Sequence, residues 1–369
     1  MNRNWKYRTL LRLAVVVALA SVDAGRLHAQ NDALMWETVT RLRHENDSLR
    51  KQLQVLRNAN SVETTWDNLE GVSDEVDFSF YFEDYPAKGT VGNLSEIQSA
   101  RSSDPMTEAE IRIACPSSSV RYSSDIRKYL NLYTGRREAQ MRRVLYRYHS
   151  WEGVFKAAFD RRGVPEDLMS LVIVESAVST RALSPAGAYG MWQIMPGTAR
   201  TLGLRVDALV DERLDVWKAS EAAARHLASS YKEFGSWDLA VLAYNCGNGN
   251  VRKAIAQAGG STPVEKVMLY LPDETRAYLP SMIAARYALV YHEQLGWDIP
   301  KSRDVQAVRV TCPVSTSIQK LAETIEADPG QLAEMNPQFL IGIIPEGSTL
   351  SLTSKQARLF NKSFSGNKR

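Results

Sequence analysis

The feature that most constrains the fold of this chain is the helical spacing of apolar residues between residues 124 and 291. Apolar residues such as Ile126 and Leu130 return at helical spacing, and Gly and Pro separate one helical segment from the next. This region lacks the alternating apolar and polar residues of a half-buried strand. The sequence therefore predicts a mainly α domain over residues 116–300, with its core at 150–291.

The pattern changes after about Asp304. Val305–Val310 alternates like a strand, Ile318–Ala327 is helical, and Ile343-Ile344-Pro345 ends a short element. These features predict a small, separate α/β module over residues 304–369.

The first 29 residues predict a cleaved signal peptide and export to the periplasm. Four basic residues precede the apolar run Leu13–Ala20, and a cut after Ala29 would leave a small residue at the new end. The apolar stretch is about ten residues long, whereas a spanning helix needs about twenty.

Export would also change the charge. The whole chain has 45 basic and 42 acidic residues and a net charge of +3, but cleavage would leave 40 against 41 and a net charge of −1. Bulk charge therefore gives no support to a nucleic-acid partner.

Two segments separate this leader from the helical domain. Residues 30–60 contain a heptad seam from Met35 to Leu56 with Asn46 at a core position, which predicts either a homodimer through residues 35–56 or a single amphipathic helix packed on its own domain. Residues 61–115 are rich in acids and predict a linker.

The chain has three cysteines, Cys115, Cys246 and Cys312, so at least one is unpaired within the monomer. The flanking sequences of Cys115 and Cys312 are alike, which leaves a bridge between them open as one alternative. No Cys-x-x-Cys pair and no neighbouring His indicates a metal site.

Glu175 is the first candidate for chemistry. Pro165 followed by acids marks a helix start, and the spacing of Leu168, Leu171 and Val172 places Glu175 on the same apolar face. Desolvation there would raise the pKa of the carboxyl and make it a proton donor near neutral pH. The alternative is a Glu at the edge of the face that pairs with an Arg.

Two later segments carry groups that suit a carbohydrate. Residues 182–199 form a Gly-punctuated loop with amide, thioether and aromatic side chains, and residues 237–251 form a helix that ends at a Gly turn after Tyr244-Asn245. Amides bind acetamido and hydroxyl groups, and apolar faces contact sugar rings.

Residues 121–291 resemble the family 1 lytic transglycosylases, lysozyme-like enzymes that cleave peptidoglycan, and in particular their D type. Four motifs match in order: Glu175-Ser176, then Gly187-Ala188-Tyr189-Gly190-Met191-Trp192-Gln193, then Ala243-Tyr244-Asn245, then Glu274-Thr275-Arg276-Ala277-Tyr278. The resemblance implies a lysozyme-like helical fold, glycan strands as the partner, and no metal or organic cofactor.

The resemblance also implies roles for single residues. Glu175 would be the catalytic acid and base, and the hydroxyl of Tyr278 would orient it. The implied substrate-binding residues are Ser184, Met191, Gln193, Met195, Tyr244 and Asn245. Cys246 stands where the family usually has Ala, and we expect it to be structural.

A single carboxyl suffices if the substrate supplies the other groups. Glycosidases normally use two carboxylates, but Asp211, Glu212, Asp215 and Glu221 lie in a polar segment. We expect them to cap helices or to pair with Arg213 and Arg225. The N-acetyl oxygen and the 6-hydroxyl of muramic acid would then act in their place and give a 1,6-anhydro end. A lysozyme-type hydrolase and a non-catalytic glycan-binding scaffold are the alternatives.

The C-terminal module looks like a divergent LysM-type glycan-binding module, with Ser317 to Ala322 and Leu332 to Pro337 as its helical segments. The alternative is a packing appendage that buries a face of the helical domain.

Overall fold

The computed structural model describes residues 108–260, 263–300 and 307–365. The predicted signal peptide, the heptad segment with its homodimer, and most of the linker lie outside the described residues. Within those residues, no helix has the length and apolar character needed to cross a membrane.

The central domain is built from helices, which confirms the mainly α prediction. Its α-helices are α1 Glu108–Ala114, α2 Ser124–Asn131, α3 Glu138–Asp160, α4 Leu171–Ser176, α5 Pro196–Thr201, α6 Val216–Phe234, α7 Trp237–Cys246, α8 Asn248–Gln257, α9 Val264–Met268 and α10 Asp273–Tyr291. A π-helical turn spans Leu132–Arg136, and 3₁₀ turns span Glu166–Ser170 and Glu212–Leu214.

Local sequence fixes the ends of the two helices that lead to the site. The Asp215 side chain accepts a hydrogen bond from the backbone N–H of Lys218 and caps α6, which ends at Gly235 in the left-handed region. Ser236 then caps α7 by accepting from the N–H of Leu239. Such caps typically contribute about 1 kcal/mol each, and Gly adopts a left-handed backbone at little cost.

An aromatic cluster forms the centre of the core below the site. Trp192 is fully buried, and its ring lies 5.4 Å from those of Phe155 and Phe159, both on α3. Its indole Nε1 donates to the hydroxyl of Ser220 on α6 at 2.9 Å. The side chain of Trp192 therefore packs its loop against the two long helices α3 and α6.

Helix α1 lies within residues 61–115, the range that the sequence assigned to the acidic linker. Ile111, Ala114 and Cys115 are buried, and α1 packs against α10. The following serines donate to the buried carboxylates of Asp167 and Asp238. Acid counting missed this helix because only two of its residues, Ile111 and Ala114, are buried.

The C-terminal module is α/β, as predicted. It contains β1 Val308–Thr311, β2 Thr316–Ser317, α11 Ile318–Thr324, α12 Pro329–Met335, β3 Ile343–Ile344, β4 Thr349–Leu352 and α13 Ser354–Ser365. Strand β1 pairs antiparallel with β4, Val308 opposite Leu352, and β2 pairs antiparallel with β3. The module has its own core, which includes Leu321, Leu332 and Leu350.

This module packs on the segment of the helical domain between α5 and α6. Val210 of that segment is 2% exposed and belongs to the core of the module, where it forms a β-bridge with Phe339. Arg309 on β1 pairs with Asp215, and its guanidinium lies 4.6 Å from the ring of Trp217. The contact therefore combines apolar, ionic and cation–π interactions.

All three cysteines are free thiols. Cys115 is buried in the core of the helical domain and Cys312 in the core of the module. Each thiol is thus buried in a different core, and the two are not bridged.

Candidate active site

Glu175 lies in the last turn of α4, at a sharp end of that helix. Leu171, Val172 and Ile173 bury the helix in the core. Ala177 and Val178 follow with φ angles of 51° and 62°, so the chain turns away directly after the glutamate. A left-handed backbone is costly for a β-branched residue, and such strain, of order 1–3 kcal/mol per residue, concentrates at functional sites.

The carboxyl of Glu175 has a raised pKa, which favours its protonated form at neutral pH. Burial raises its pKa from 4.5 to about 8, the hydrogen bond from Tyr278 lowers it in part, and the negative charge of Glu274 raises it further. The hydroxyl of Tyr278, on α10, donates to Oε1 of Glu175. Oε2 is therefore the oxygen that can carry a transferable proton.

Tyr244 joins the site from α7. Its hydroxyl donates to the carbonyl oxygen of Trp192 at 2.7 Å, and its ring lies 5.3 Å from that of His226. Burial and the charge of Glu175 together raise the pKa of Tyr244 well above its ordinary value. Three helices thus bring Glu175, Tyr244 and Tyr278 together.

Asn245 is oriented by a residue whose role the sequence did not reveal. Thr275 is 2% exposed, and its hydroxyl donates to Oδ1 of Asn245 at 2.8 Å. Because the amide oxygen accepts this bond, the amide N–H groups of Asn245 are left to donate. Thr275 stands in the fourth motif, but only the fold places it behind Asn245.

The loop between α4 and α5 presents Gln193. The Nε2 of Gln193 donates to the carbonyl oxygens of Ala182 and Gly190, both at 2.8 Å, which leaves Oε1 as an acceptor. Gly190 has φ 80°, and a Cβ there would lie 2.2 Å from the carbonyl oxygen of Arg213. Only Gly fits at this position.

The remaining loop residues fall into two groups. Met195 is 41% exposed, and Ser184 is half-buried with its Oγ accepting from the N–H of Ala188. Met191 is 1% exposed and packs in the core. The substrate contact predicted for Met191 stays a prediction.

The other candidate acids are engaged in ion pairs or caps. Asp211 pairs with Arg213, Glu212 with Lys218, and Asp215 with Arg309, while Glu221 pairs with Arg161 and Arg162. The expected pairing with Arg225 does not occur, since that side chain donates to the carbonyl oxygen of Leu202. Over the described ranges, no cluster of three or more His, Cys, Asp and Glu residues could hold a metal ion.

A comparison with protein families finds a match within the helical domain. Residues 153–265 match the family model described as Transglycosylase SLT domain. This region is similar to that family. The match includes Glu175, the loop with Gln193, and Asn245, whereas Thr275 and Tyr278 lie beyond it on α10. The resemblance to lytic transglycosylases inferred from the four motifs is thereby confirmed.

Two relatives of this chain are named as transglycosylases. Membrane-bound lytic murein transglycosylase D of Escherichia coli (strain K12) is 36% identical over 202 residues, which are 53% of this chain and 43% of that protein. Peptidoglycan transglycosylase gp16 of Escherichia phage T7 is 41% identical over 104 residues, 27% of this chain and 8% of that protein. The chain therefore spans less than half the length of these relatives.

Solved structures similar to this chain include the 70 kDa soluble lytic transglycosylase of Escherichia coli, at 25% identity and a TM-score of 0.34. The similarity covers 42% of this chain and 26% of that chain. The lytic transglycosylase Slt of Pseudomonas aeruginosa is also 25% identical, with a TM-score of 0.33, over 39% of this chain and 24% of that chain.

Proposed function

We propose that this chain is a peptidoglycan lytic transglycosylase of the cell envelope. It would cleave the β-1,4 bond between N-acetylmuramic acid and N-acetylglucosamine during cell-wall turnover and leave a 1,6-anhydromuramoyl end. The observation that carries the proposal is the carboxyl of Glu175, whose pKa burial raises to about 8 and which accepts a hydrogen bond from Tyr278. Glu175 lies in the region that matches the SLT domain family. The names of the relatives, which act on murein or peptidoglycan, support the same substrate.

In the first step, Glu175 acts as a general acid. Its protonated Oε2 gives a proton to the glycosidic oxygen as the bond to C1 breaks, and Glu175 becomes a carboxylate. The N-acetyl oxygen of the muramic acid stabilises the positive charge that develops at C1. The hydrogen bond from Tyr278 to Oε1 steadies the new carboxylate.

In the second step, the same carboxylate acts as a general base. It takes the proton from the 6-hydroxyl of the muramic acid while that oxygen bonds to C1, which forms the anhydro ring and restores the acid. No water is consumed. An inverting or retaining hydrolase would need a second carboxylate at a fixed distance, but Asp211, Glu212, Asp215 and Glu221 are already paired.

The groups around Glu175 supply both kinds of sugar contact. Oε1 of Gln193 accepts hydrogen bonds from hydroxyl or acetamido N–H groups, and the amide of Asn245 donates to their oxygens. Ser184 and Tyr244 complete the polar contacts, and the exposed thioether of Met195 packs on a sugar ring.

The contacts of the C-terminal module support a packing role, one of the two roles that the sequence left open. The module takes Val210 into its core and pairs Arg309 with Asp215 of the helical domain. Export through residues 1–29 and a homodimer through residues 35–56 stay predictions.

Product analysis tests the proposed reaction. We expect the full-length protein to release muropeptides from purified sacculi that are lighter by one water than the corresponding reducing-end products, as mass spectrometry would show. Products that carry the added water would make the protein a hydrolase. Retention on sacculi without any soluble product would favour the non-catalytic scaffold.

Thr275→Val tests the orientation of Asn245. The change removes the hydroxyl that fixes Oδ1 of Asn245 while keeping a similar shape, so the amide can rotate and lose its contact with the substrate. We expect kcat/KM on soluble glycan strands to fall about tenfold, which corresponds to about 1.4 kcal/mol. Steady-state kinetics at pH 7 would measure it.

The matched control for this variant is Thr275→Ser, which keeps the donor. We expect its kcat/KM to remain within about twofold of the wild type. Equal losses in both variants would assign the effect to packing around residue 275 rather than to the hydrogen bond.

A further inference from the structure

We propose that Arg213 is a positioning residue through which the C-terminal module sets the geometry of the substrate loop, residues 182–195. The proposal deepens the proposed function and rests on it, because the loop is taken to bind glycan. Arg213 does not contact the reacting atoms. It acts through the backbone of the loop, to which it donates hydrogen bonds at two separate places.

The guanidinium of Arg213 binds the backbone of the loop. Its Nη1 donates to the carbonyl oxygens of Gly187 at 2.8 Å and Ile194 at 3.0 Å. These residues lie on the two sides of the turn that carries Gln193. The ring of Tyr189 lies 5.5 Å from the guanidinium carbon, so the cation also packs against the middle of the loop.

The backbone of Arg213 also contacts the loop. Its carbonyl oxygen lies so close to Gly190 that a Cβ on that glycine would approach within 2.2 Å. The loop therefore rests on both the side chain and the main chain of one residue. A small displacement of Arg213 would move Gly187, Gly190 and Ile194 together.

Asp211 fixes Arg213 from the opposite side. Oδ1 and Oδ2 of Asp211 accept from Nε at 2.9 Å and from Nη2 at 2.7 Å. The side chain of Arg213 is 6% exposed and that of Asp211 is 4% exposed. A bidentate, buried pair of this kind holds the guanidinium in one plane.

The segment that contains Asp211 is anchored in the module. The backbone N–H of Asp211 donates to the carbonyl oxygen of Gln338 at 2.9 Å, and the N–H of Leu340 donates to the carbonyl oxygen of Leu209 at 3.0 Å. Between them, Val210 is buried in the core of the module. A continuous path of contacts thus runs from the module through Asp211 and Arg213 to the loop.

This path of contacts predicts which kinetic constant should change when Arg213 is altered. Glu175 and Tyr278 lie on α4 and α10, and Arg213 contacts neither of them through any hydrogen bond that the structure describes. A substitution that weakens the hydrogen bonds of Arg213 should therefore weaken the binding of glycan and leave proton transfer largely intact. A defect that was only structural would lower the active fraction and so reduce kcat, without changing KM.

The experiment uses the full-length chain with Arg213→Lys, which keeps the charge but loses the planar fork. We expect KM for soluble glycan strands to rise about tenfold while kcat stays within about twofold. Val210→Ala, on the module side, should raise KM about threefold. In the double variant the two effects should not multiply, because both act through one path.

Arg205→Lys is the matched control. Arg205 lies in the same segment, but its exposed side chain pairs with Asp207 and makes no described contact with the loop. Its KM should equal that of the wild type. Binding of the same strands is also measured as Kd in the Glu175→Gln background, so the loop is tested even without turnover.

The outcomes separate this inference from the proposed function. A wild type that binds strands but does not cleave them would refute the function alone. A folded Arg213→Lys with wild-type KM and Kd would refute the role of Arg213. If Arg213→Lys does not fold, Val210→Ala decides: unchanged KM and Kd would overturn the proposal. Effects that multiply in the double variant would show separate paths and refute the coupling to the module.

Discussion

Glu175→Gln should lower kcat on sacculi by about 10³- to 10⁴-fold, the upper range for loss of a general acid or base. The amide can neither give a proton to the leaving oxygen nor take one from the 6-hydroxyl, so one substitution removes both steps. Tyr278 can still donate to the amide oxygen, and the fold should persist. Release of soluble muropeptides, measured with circular dichroism of the same sample, checks both expectations.

The same variant should be more stable than the wild type at neutral pH. The pKa of Glu175 is about 8 in the folded chain and near 4.5 when unfolded, so the folded state binds its proton more tightly. Wild-type stability therefore falls as the pH rises from about 4.5 to 8. Since Gln does not titrate, we expect an advantage near zero at about pH 4 that grows to about 2–4 kcal/mol at about pH 8. Urea unfolding at several pH values measures this difference.

Glu274→Gln is the control for both measurements. Glu274 is an exposed carboxylate whose charge contributes to the raised pKa of Glu175. Its removal should leave kcat within about threefold and shift the alkaline limit of activity slightly downward. If Glu175→Gln retains substantial cleavage, the assignment of the acid is wrong. If its stability advantage does not depend on pH, the raised pKa is wrong.

The local spacing of residues in the sequence predicted those parts of the site that depend on neighbouring residues. The spacing of apolar residues placed Glu175 on a buried helix face, and burial is the main cause of its raised pKa. Motif order brought Asn245 and Tyr278 into the same candidate site. Helical periodicity likewise gave the α class of the central domain, because a buried helix face repeats along the sequence.

Long-range packing accounts for what the sequence did not predict. Met191 stands between Gly190 and Trp192 in a motif, but motif position does not say which side of a loop faces the core. Thr275 and Arg213 gained their roles from partners 30 and 26 residues away. Such contacts form only when separate parts of the chain pack together, so no local spacing could have indicated them.

Tyr278→Phe should lower kcat/KM by about 10- to 100-fold, the cost of losing fine alignment of a catalytic group. The phenol is the described donor to Oε1 of Glu175. Without it, the carboxyl can rotate, and the carboxylate formed in the first step loses a hydrogen bond. Because that bond lowers the pKa of Glu175, its loss should raise the pKa further. The alkaline limb of the pH profile of kcat/KM, near pH 8 in the wild type, should therefore move upward.

Tyr291→Phe provides the matched control for this prediction. Tyr291 lies on the same helix, but its hydroxyl donates to the carbonyl oxygen of Glu110 rather than to the site. It should keep the wild-type rate and pH profile. A rate loss in Tyr278→Phe with an unmoved alkaline limb would mean that Tyr278 supports the site only by packing. A limb that moves downward would mean that the hydrogen bond favours the protonated acid instead. An upward shift together with a lower rate would establish that one phenol both aligns Glu175 and keeps its pKa near the working pH.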